Sequence, residues 1–371
     1  MHILLAGGGT GGHINPALAI AATVRKYHPD ARISFVGTPH GMESVLVPRA
    51  GFDFYPLDVA GFQRKPSLTN LKRNAGALYK LFLSSKRASK LLRELRPDVA
   101  GGTGGYVSGP ILRKAQKMGI ATAVHEQNAF PGVTTKLLAP KADAVMLAMP
   151  EAEKYLRLKK APYITGNPVR EAVLAASRAR ARARFGMDSR PMLLSFGGSL
   201  GAKRLNETVA DVLAAHAHKA DCYHYHATGK FGWEWMPRLL LEKGVDLSAM
   251  KQLRVTEYID DMDLCLAAAD LVICRAGAIT LSELQAAGRA AILIPSPNVA
   301  ENHQYYNAMT LANRGCAVVI EEKDLTSERL LAEVDRLLCD PALLREMGEN
   351  AQKGAVFDAN ERIYTVLRNL F

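Results

Sequence analysis

The chain has 371 residues, more than one hydrophobic core usually organises, so two domains are expected. Its 48% hydrophobic and 22% charged residues fit a folded globular protein and argue against disorder or low complexity. No run reaches the roughly 18 apolar residues of a membrane-spanning helix, so any membrane contact is expected to be peripheral, and the formal charge of +11 points to an anionic partner.

The start, MHILLAGGGTGGH, has neither a basic leader nor a small-residue cleavage site, so no export signal is expected. Five cysteines, Cys222, Cys265, Cys274, Cys316 and Cys339, lie in the second half without CxxC or Cys/His ligand spacing, which predicts a reduced cytosolic setting. Short β-branched or apolar runs alternate with helical patterns, the signature of parallel sheets covered by helices. The first half offers strands at Ile3 to Ala6, Ile33 to Val36, Asp53 to Leu57, Asp98 to Ala100, Ala121 to Val124, Ala144 to Leu147 and Tyr163 to Thr165.

Between the third and fourth of these, Gly61 to Arg96 holds ten basic residues against Glu94 alone, a net of +9. Leu68, Leu71, Leu78, Leu81, Phe82 and Leu83 are interleaved with them. That composition suits a basic amphipathic surface on anionic lipid; a solvated helix with its apolar stripe on the core is the plainer reading. No recognition-module signature accompanies the charge, so nucleic acid is not expected.

A domain seam is expected near Gly166, Asn167 and Pro168, giving domains 1–167 and 168–356, with a last helix in 357–371 crossing back onto the first. Arg178, Arg180, Arg182 and Arg184 follow at spacing two and are expected to form a solvated connecting segment. Further strands are expected at Met192 to Phe196, Cys222 to His226, Leu253 to Thr256, Leu271 to Cys274, Ala291 to Ile294 and Ala317 to Ile320. Two doubly wound units follow one another.

Three glycine turns sit directly after strands: Gly7 to Gly12 with His13 behind it, Gly101 to Gly105, and Gly197 to Gly201. Such turns let backbone N–H groups approach a phosphate or sugar, with the positive end of the next helix behind them. Gly7, Gly9 and Gly12 satisfy GxGxxG, but the second strand ends in Gly37, Thr38, Pro39 and His40, without the acidic residue a dinucleotide ribose requires. GGSLGAKR does not have Walker A spacing either. Both facts turn the loops toward a sugar or a lipid-linked diphosphate.

Seven motifs stand in order: GGGTGGH at Gly7 to His13, GTGGYVSGP at Gly102 to Pro110, HEQN at His125 to Asn128, GNPVR at Gly166 to Arg170, FGGSLGA at Phe196 to Ala202, CRAGAITLSE at Cys274 to Glu283, and HQYYNA at His303 to Ala308. Together they resemble the MurG family, the UDP-N-acetylglucosamine transferases that convert lipid I to lipid II in peptidoglycan synthesis. The resemblance covers nearly the whole chain. It implies an α/β GT-B fold: two Rossmann-like, doubly wound parallel-sheet domains facing across a cleft, with the acceptor and membrane on the first and the UDP-sugar on the second.

By this resemblance Glu283 holds the ribose hydroxyls, Ser199 the diphosphate, and the Ile259 backbone the uracil. Arg170 and Arg275 are similar to donor-site arginines, or serve as salt bridges. Ala278, Ile279 and Thr280 offer backbone groups at a helix start, and Gln304 reaches the sugar beside His303, which stands where the family often has glutamine. Thr10, Gly11, Gly12 and Asn128 meet the donor from the first domain; Thr10, Gly104, Gly105 and Tyr106 suit the lipid diphosphate and its sugar.

His13 is the leading general base and Glu126 its rival; a histidine near pKa 6.5 takes a proton at cellular pH. The implied reaction is a single inverting displacement at the cytoplasmic face of the membrane, with no cofactor and no obligatory metal. UDP-N-acetylglucosamine and lipid I are the implied partners, with other cell-wall synthesis proteins further ones. Two other classes remain: another GT-B enzyme, such as a UDP-N-acetylglucosamine 2-epimerase without a lipid acceptor, and a membrane-binding scaffold.

Overall fold

The computed structural model describes residues 1–59 and 84–371. The chain divides into two compact units, Met1–Pro168 with Asp358–Phe371, and Val169–Phe357. Much of the basic 61–96 segment lies outside the described residues.

In the first unit β1 (His2–Gly7), β2 (Arg32–Gly37), β3 (Asp53–Pro56), β4 (Val99–Gly104), β5 (Ala121–Glu126), β6 (Ala144–Leu147) and β7 (Tyr163–Ile164) form one sheet in the order β3-β2-β1-β4-β5-β6-β7. Every pairing is parallel. The helices are α1 (Gly11–Tyr27), α2 (Glu43–Arg49), α3 (residues 84–95), α4 (Ser108–Lys117) and α5 (Val133–Leu138). The continuous apolar run of β1 reflects burial on both faces, as expected of a central parallel strand. Alternation sends Ile3 and Leu5 to one side, with Ile20 and Val24 of α1. Leu4 and Ala6 face the other, with Leu92 of α3 and Ile111 of α4.

Helix α3 is the described end of the basic segment. Its Ala88, Leu92 and Leu95 are buried in the core, while Lys86, Arg87, Lys90 and Arg93 are exposed. Here the apolar stripe serves the fold and the charges face outward.

The second unit has β8 (Met192–Phe196), β9 (Tyr223–Ala227), β10 (Leu253–Thr256), β11 (Leu271–Cys274), β12 (Ala290–Leu293) and β13 (Ala317–Val319) in the order β10-β9-β8-β11-β12-β13, again parallel throughout. Its helices are α6 (Glu171–Ala175), α7 (Arg178–Arg184), α8 (Lys203–Lys219), α9 (Lys230–Trp233), α10 (Met236–Glu242), α11 (Met262–Ala268), α12 (Ala278–Ala287), α13 (His303–Ala312), α14 (Ser327–Leu338) and α15 (Pro341–Lys353). Leu193, Ile273 and Ile292 from its central strands pack with Val209 and Leu213 of α8 and Leu330 and Val334 of α14. The last helix, α16 (Ala359–Arg368), belongs to the first unit. Ile363, Val366 and Leu367 join the Ile3 and Leu5 cluster, and Tyr364 stacks on Tyr27 at 4.2 Å and bonds His28 Nε2 at 2.8 Å.

The arginine run departs from expectation. Residues four apart share a helix face, and Arg178 and Arg182 turn together onto the end of α11. Arg178 donates to the carbonyls of Ala268 and Ala269 and to Asp270 at 2.6 Å. Arg182, its side chain 13% exposed, reaches Asp270 and the carbonyls of Ala268, Asp188 and Arg190. Spacing two scattered the four charges, but spacing four made two of them a clamp. The five cysteines are free thiols, and among the described residues no helix is long and apolar enough to cross a membrane.

Between β8 and β9 the Ser195 hydroxyl bridges His224 Nε2 at 2.7 Å and His226 Nδ1 at 2.8 Å in a buried cluster. Burial pushes His226 down to about 4, and burial with the neighbouring histidines takes His224 well below its usual value. Both are neutral in the fold, so stability is fully present above the unfolded histidine value of about 6.5 and is lost as pH falls below it. The thermal midpoint of the second unit is expected to drop between pH 7 and pH 5, and less steeply in His226→Gln. Equal slopes for the two proteins in a pH series of melting curves would contradict this.

Candidate functional site

In each sheet the strand order reverses beside the first strand, between β1 and β4 and between β8 and β11. Crossovers leave to opposite faces there, opening a crevice at the carboxyl ends of the strands where open α/β sheets bind ligands. The loops around Gly8 to Gly12 and Gly197 to Gly201 follow β1 and β8, but the expected turn at Gly101 to Gly105 does not start after Ala100: Gly101 to Gly104 belong to β4, Gly101 and Gly102 pairing with β5, and the chain turns only at Gly104 and Gly105.

In the first unit β1 runs into Gly8, Gly9 and Thr10, and α1 begins at Gly11 with Thr10 as its uncapped N-cap. His13 therefore lies in the first helical turn, where its Nδ1 is 3.2 Å from the Gly8 carbonyl and 3.3 Å from Thr10 Oγ1. Thr103 at the end of β4 donates to the His13 carbonyl at 2.7 Å. Gly104 lies against the His13 ring, and Gly105 approaches Gly8 so closely that a Cβ would collide with the Gly8 backbone. The two glycine loops are thus interlocked, with Tyr106 exposed beside them. Burial lowers the His13 pKa, opposed by Glu126, the Gly8 carbonyl and Glu43.

Glu126, at the end of β5, is 3% exposed. One carboxylate oxygen accepts from Asn128 N at 3.1 Å and Asn128 Nδ2 at 2.9 Å, the other from Gly132 N at 3.1 Å and Thr135 Oγ1 at 2.5 Å. A carboxylate has about four lone-pair positions, and these four donors match them. The neighbouring His125 and Gln127 tie β5 to the segment before the seam: His125 Nε2 bonds the Gly166 carbonyl at 3.0 Å, and the Gln127 carbonyl accepts from Asn167 Nδ2 at 3.2 Å.

In the second unit a cavity of about 450 Å³ lies between Gly197, Gly198 and Gly201 to Arg204 after β8, Arg275, Gly277 and Thr280 after β11, and Ser296, Asn298, Gln304 and Glu322. No side chain caps the start of α8 or of α12, leaving the positive helix ends to act on a ligand. The oxygen of Gln304 accepts from Ser296 N at 2.9 Å, which leaves its amide nitrogen as the donor toward the cavity. Arg275 lines the cavity but is engaged, donating to the carbonyls of Ile294 and Pro295 and pairing with Glu322.

Glu283, on α12 and nearly buried, accepts from Arg170 Nε at 2.6 Å. Burial opposes the Arg170 charge, yet the Glu283 carboxylate more than compensates and raises its pKa. Ser199 stands exposed at the tip of its turn, Ile259 is buried beyond β10, and His303 bonds the Ala300 carbonyl at 2.8 Å; none of the three lines the cavity. Ile279 and Ala278 open α12 beside Thr280.

Sequence reasoning missed Ser296, Asn298 and Glu322, which lie in segments without a recognised motif. It also missed Glu43, whose carboxylate bonds Gly9 and Thr38. An acidic residue was sought at the tip of β2; the one that matters stands six residues beyond Gly37, at the start of α2.

Two parallel-sheet units, each with glycine turns at its switch point, define a two-domain glycosyltransferase of GT-B fold. The chain belongs to glycosyltransferase family 28: residues 3–147 match the Glycosyltransferase family 28 N-terminal domain and residues 192–363 the C-terminal domain. It is 43% identical, over its whole length and 98% of the relative's, to a protein of Acetivibrio thermocellus named "UDP-N-acetylglucosamine--N-acetylmuramyl-(pentapeptide) pyrophosphoryl-undecaprenol N-acetylglucosamine transferase". A protein of the same name from Caldanaerobacter subterraneus is 43% identical over the full length of both. Among solved structures, MurG of Acinetobacter baumannii superposes with a TM-score of 0.80 at 30% identity, covering 99% of each chain.

The interlocked loops give a graded expectation for glycine replacement. Gly9 has φ +85° with open space where a Cβ would stand, so Gly9→Ala costs only the left-handed conformation, about 1–2 kcal/mol. Gly105, at φ +83°, faces the Gly8 backbone, so Gly105→Ala must also part the two loops and is expected to cost about 3 kcal/mol or more. Denaturant titration of the two variants checks the ranking; equal losses would refute the interlock.

Proposed function

We propose that this chain transfers N-acetylglucosamine from UDP-N-acetylglucosamine to the 4-hydroxyl of the N-acetylmuramyl-pentapeptide of lipid I, with inversion, giving the β-1,4-linked disaccharide of lipid II. The observation that carries this reading is the full-length 43% identity to transferases of that name, in a chain with glycine turns at both switch points. The 2-epimerase alternative gains nothing from these relatives.

The second unit is the donor side. The Glu283 carboxylate, oriented by Arg170, suits the vicinal ribose hydroxyls. The diphosphate lies on the turn containing Ser199, before α8, and on the start of α12 at Ala278, Ile279 and Thr280, where amides and helix ends stabilise the charge on departing UDP. Gln304 and His303 are assigned to the sugar and the Ile259 backbone to uracil. Because Arg275 is engaged by Glu322, its contribution is to hold the cavity wall.

The first unit is the acceptor side. His13, neutral at cellular pH because burial lowers its pKa, takes the hydroxyl proton on Nε2. It is preferred to Glu126, whose oxygens are occupied by four donors. Thr10, Gly104, Gly105 and Tyr106 are assigned to the lipid diphosphate and its sugar, and Gly11, Gly12 and Asn128 to the donor sugar. The exposed basic residues of α3 and the rest of 61–96 dock the chain peripherally on the anionic cytoplasmic face of the membrane.

Labelled UDP-N-acetylglucosamine and a short-chain lipid I analogue are expected to give labelled disaccharide-lipid, with EDTA present. Free N-acetylmannosamine formed without acceptor would favour the epimerase instead. Glu283→Ala is expected to raise donor KM by about 10- to 100-fold. His13→Ala is expected to lower kcat by about 100-fold or more, and normal turnover would remove it as base. For docking, co-sedimentation with vesicles containing phosphatidylglycerol is expected to weaken as salt rises. Binding that ignores salt, or none, would end the electrostatic part of the reading.

A further inference from the structure

Glu43 is a charged residue only 1% exposed, and no motif singled it out. It opens α2 and turns back under the first glycine loop. One carboxylate oxygen accepts from Thr38 N at 2.8 Å and Thr38 Oγ1 at 2.7 Å, the other from Gly9 N at 3.1 Å. Gly8, Gly37 and Gly41 close around it, and a Cβ on any of them would strike this side chain. Burial alone would raise its pKa, but its hydrogen bonds, those from Thr38 and Gly9 among them, outweigh burial and hold it below the usual carboxylate value.

The Gly9 N–H and the Gly8 C=O are the two ends of one planar peptide group and point in opposite directions. Glu43 accepts at the first end and His13 Nδ1 lies at the second, 3.2 Å away. A carbonyl oxygen only accepts, so this contact is a hydrogen bond only with the proton on Nδ1, a form in which the Thr10 hydroxyl 3.3 Å away also accepts and the lone pair of the neutral ring is on Nε2. A carboxylate on the N–H end polarises the group and makes its carbonyl a better acceptor.

We propose that Glu43 is a positioning residue for His13: acting through the Gly8–Gly9 peptide, it fixes the ring with the proton on Nδ1 and the lone pair on Nε2, the form in which His13 accepts the acceptor's proton. Its catalytic consequence rests on the reading of His13 as base. The negative charge of Glu43 also favours the imidazolium that forms when Nε2 takes the proton. Among the described residues, Glu126 from the end of β5 and Glu43 are the charged groups that act on His13; Thr10 and Gly104 bring no titratable group to it.

The test is Glu43→Gln in the full chain, which keeps the shape and removes the charge, with two independent readouts. Long-range ¹H–¹⁵N spectra of the His13 ring are expected to show one tautomer, protonated on Nδ1, in the parent. In the variant they are expected to show a mixture and a lower titration midpoint. In the transfer assay kcat is expected to fall about 10-fold or more, with donor KM unchanged within twofold and the acidic limb of the pH profile moved to lower pH. A ring with unchanged tautomer and midpoint overturns the proposal, whatever happens to the melting temperature. A changed ring with unchanged kcat and acidic limb overturns His13 as base and leaves the link between Glu43 and His13 standing. Should Glu43→Gln not fold, Glu43→Asp keeps the charge near Thr38 but draws it back from Gly9. The same ring spectra are then expected to show mixed tautomers, and a single tautomer overturns the proposal.

Discussion

The feature on which the rest of the structure depends is the reversal of strand order at the centre of each parallel sheet. Where crossovers part to opposite faces, the carboxyl ends of β1 and β4, and of β8 and β11, are left without a covering helix. The chain leaving each strand must turn sharply and satisfy its own amides. Glycine makes that turn possible, and the helix that follows adds its positive end. The crevices follow from this topology, and the side chains around them differ between the two units.

Carboxylates then fix the loops. Glu126 gathers donors from Asn128, Gly132 and Thr135, Glu43 gathers Thr38 and Gly9, and Glu322 secures Arg275. For Glu43 these bonds outweigh the cost of burial and hold its pKa below the usual carboxylate value. His13 differs in that its Nδ1 lies against the loop, at the Gly8 carbonyl and Thr10 Oγ1.

Strand positions were legible because parallel strands buried on both faces read as short apolar runs; ILLA, MLLSF and LVIC coincide with β1, β8 and β11. The glycine turns after β1 and β8 were legible for the same reason, whereas Gly101 to Gly104 read as a turn and are strand, because the parallel partner β5 pairs glycines as readily as branched residues. Less visible were contacts set by tertiary placement. The arginine run looked solvated because two-residue spacing on a helix scatters charge, whereas the end of α11 captured Arg178 and Arg182. The bond that ties Arg170 to Glu283 spans 113 residues and leaves no local signal. Glu43 was overlooked because the dinucleotide fingerprint directs attention to the tip of β2, while the acidic residue is reached only after the turn into α2.

The central claim is that the nucleotide is held by the turns of the second unit, and hydrogen exchange of the full chain with and without UDP tests it most directly. Slowed exchange is predicted in residues 197–204 and 275–283, with residues 7–13 unchanged. Slowing at 7–13 without slowing at 197–204 would contradict the account.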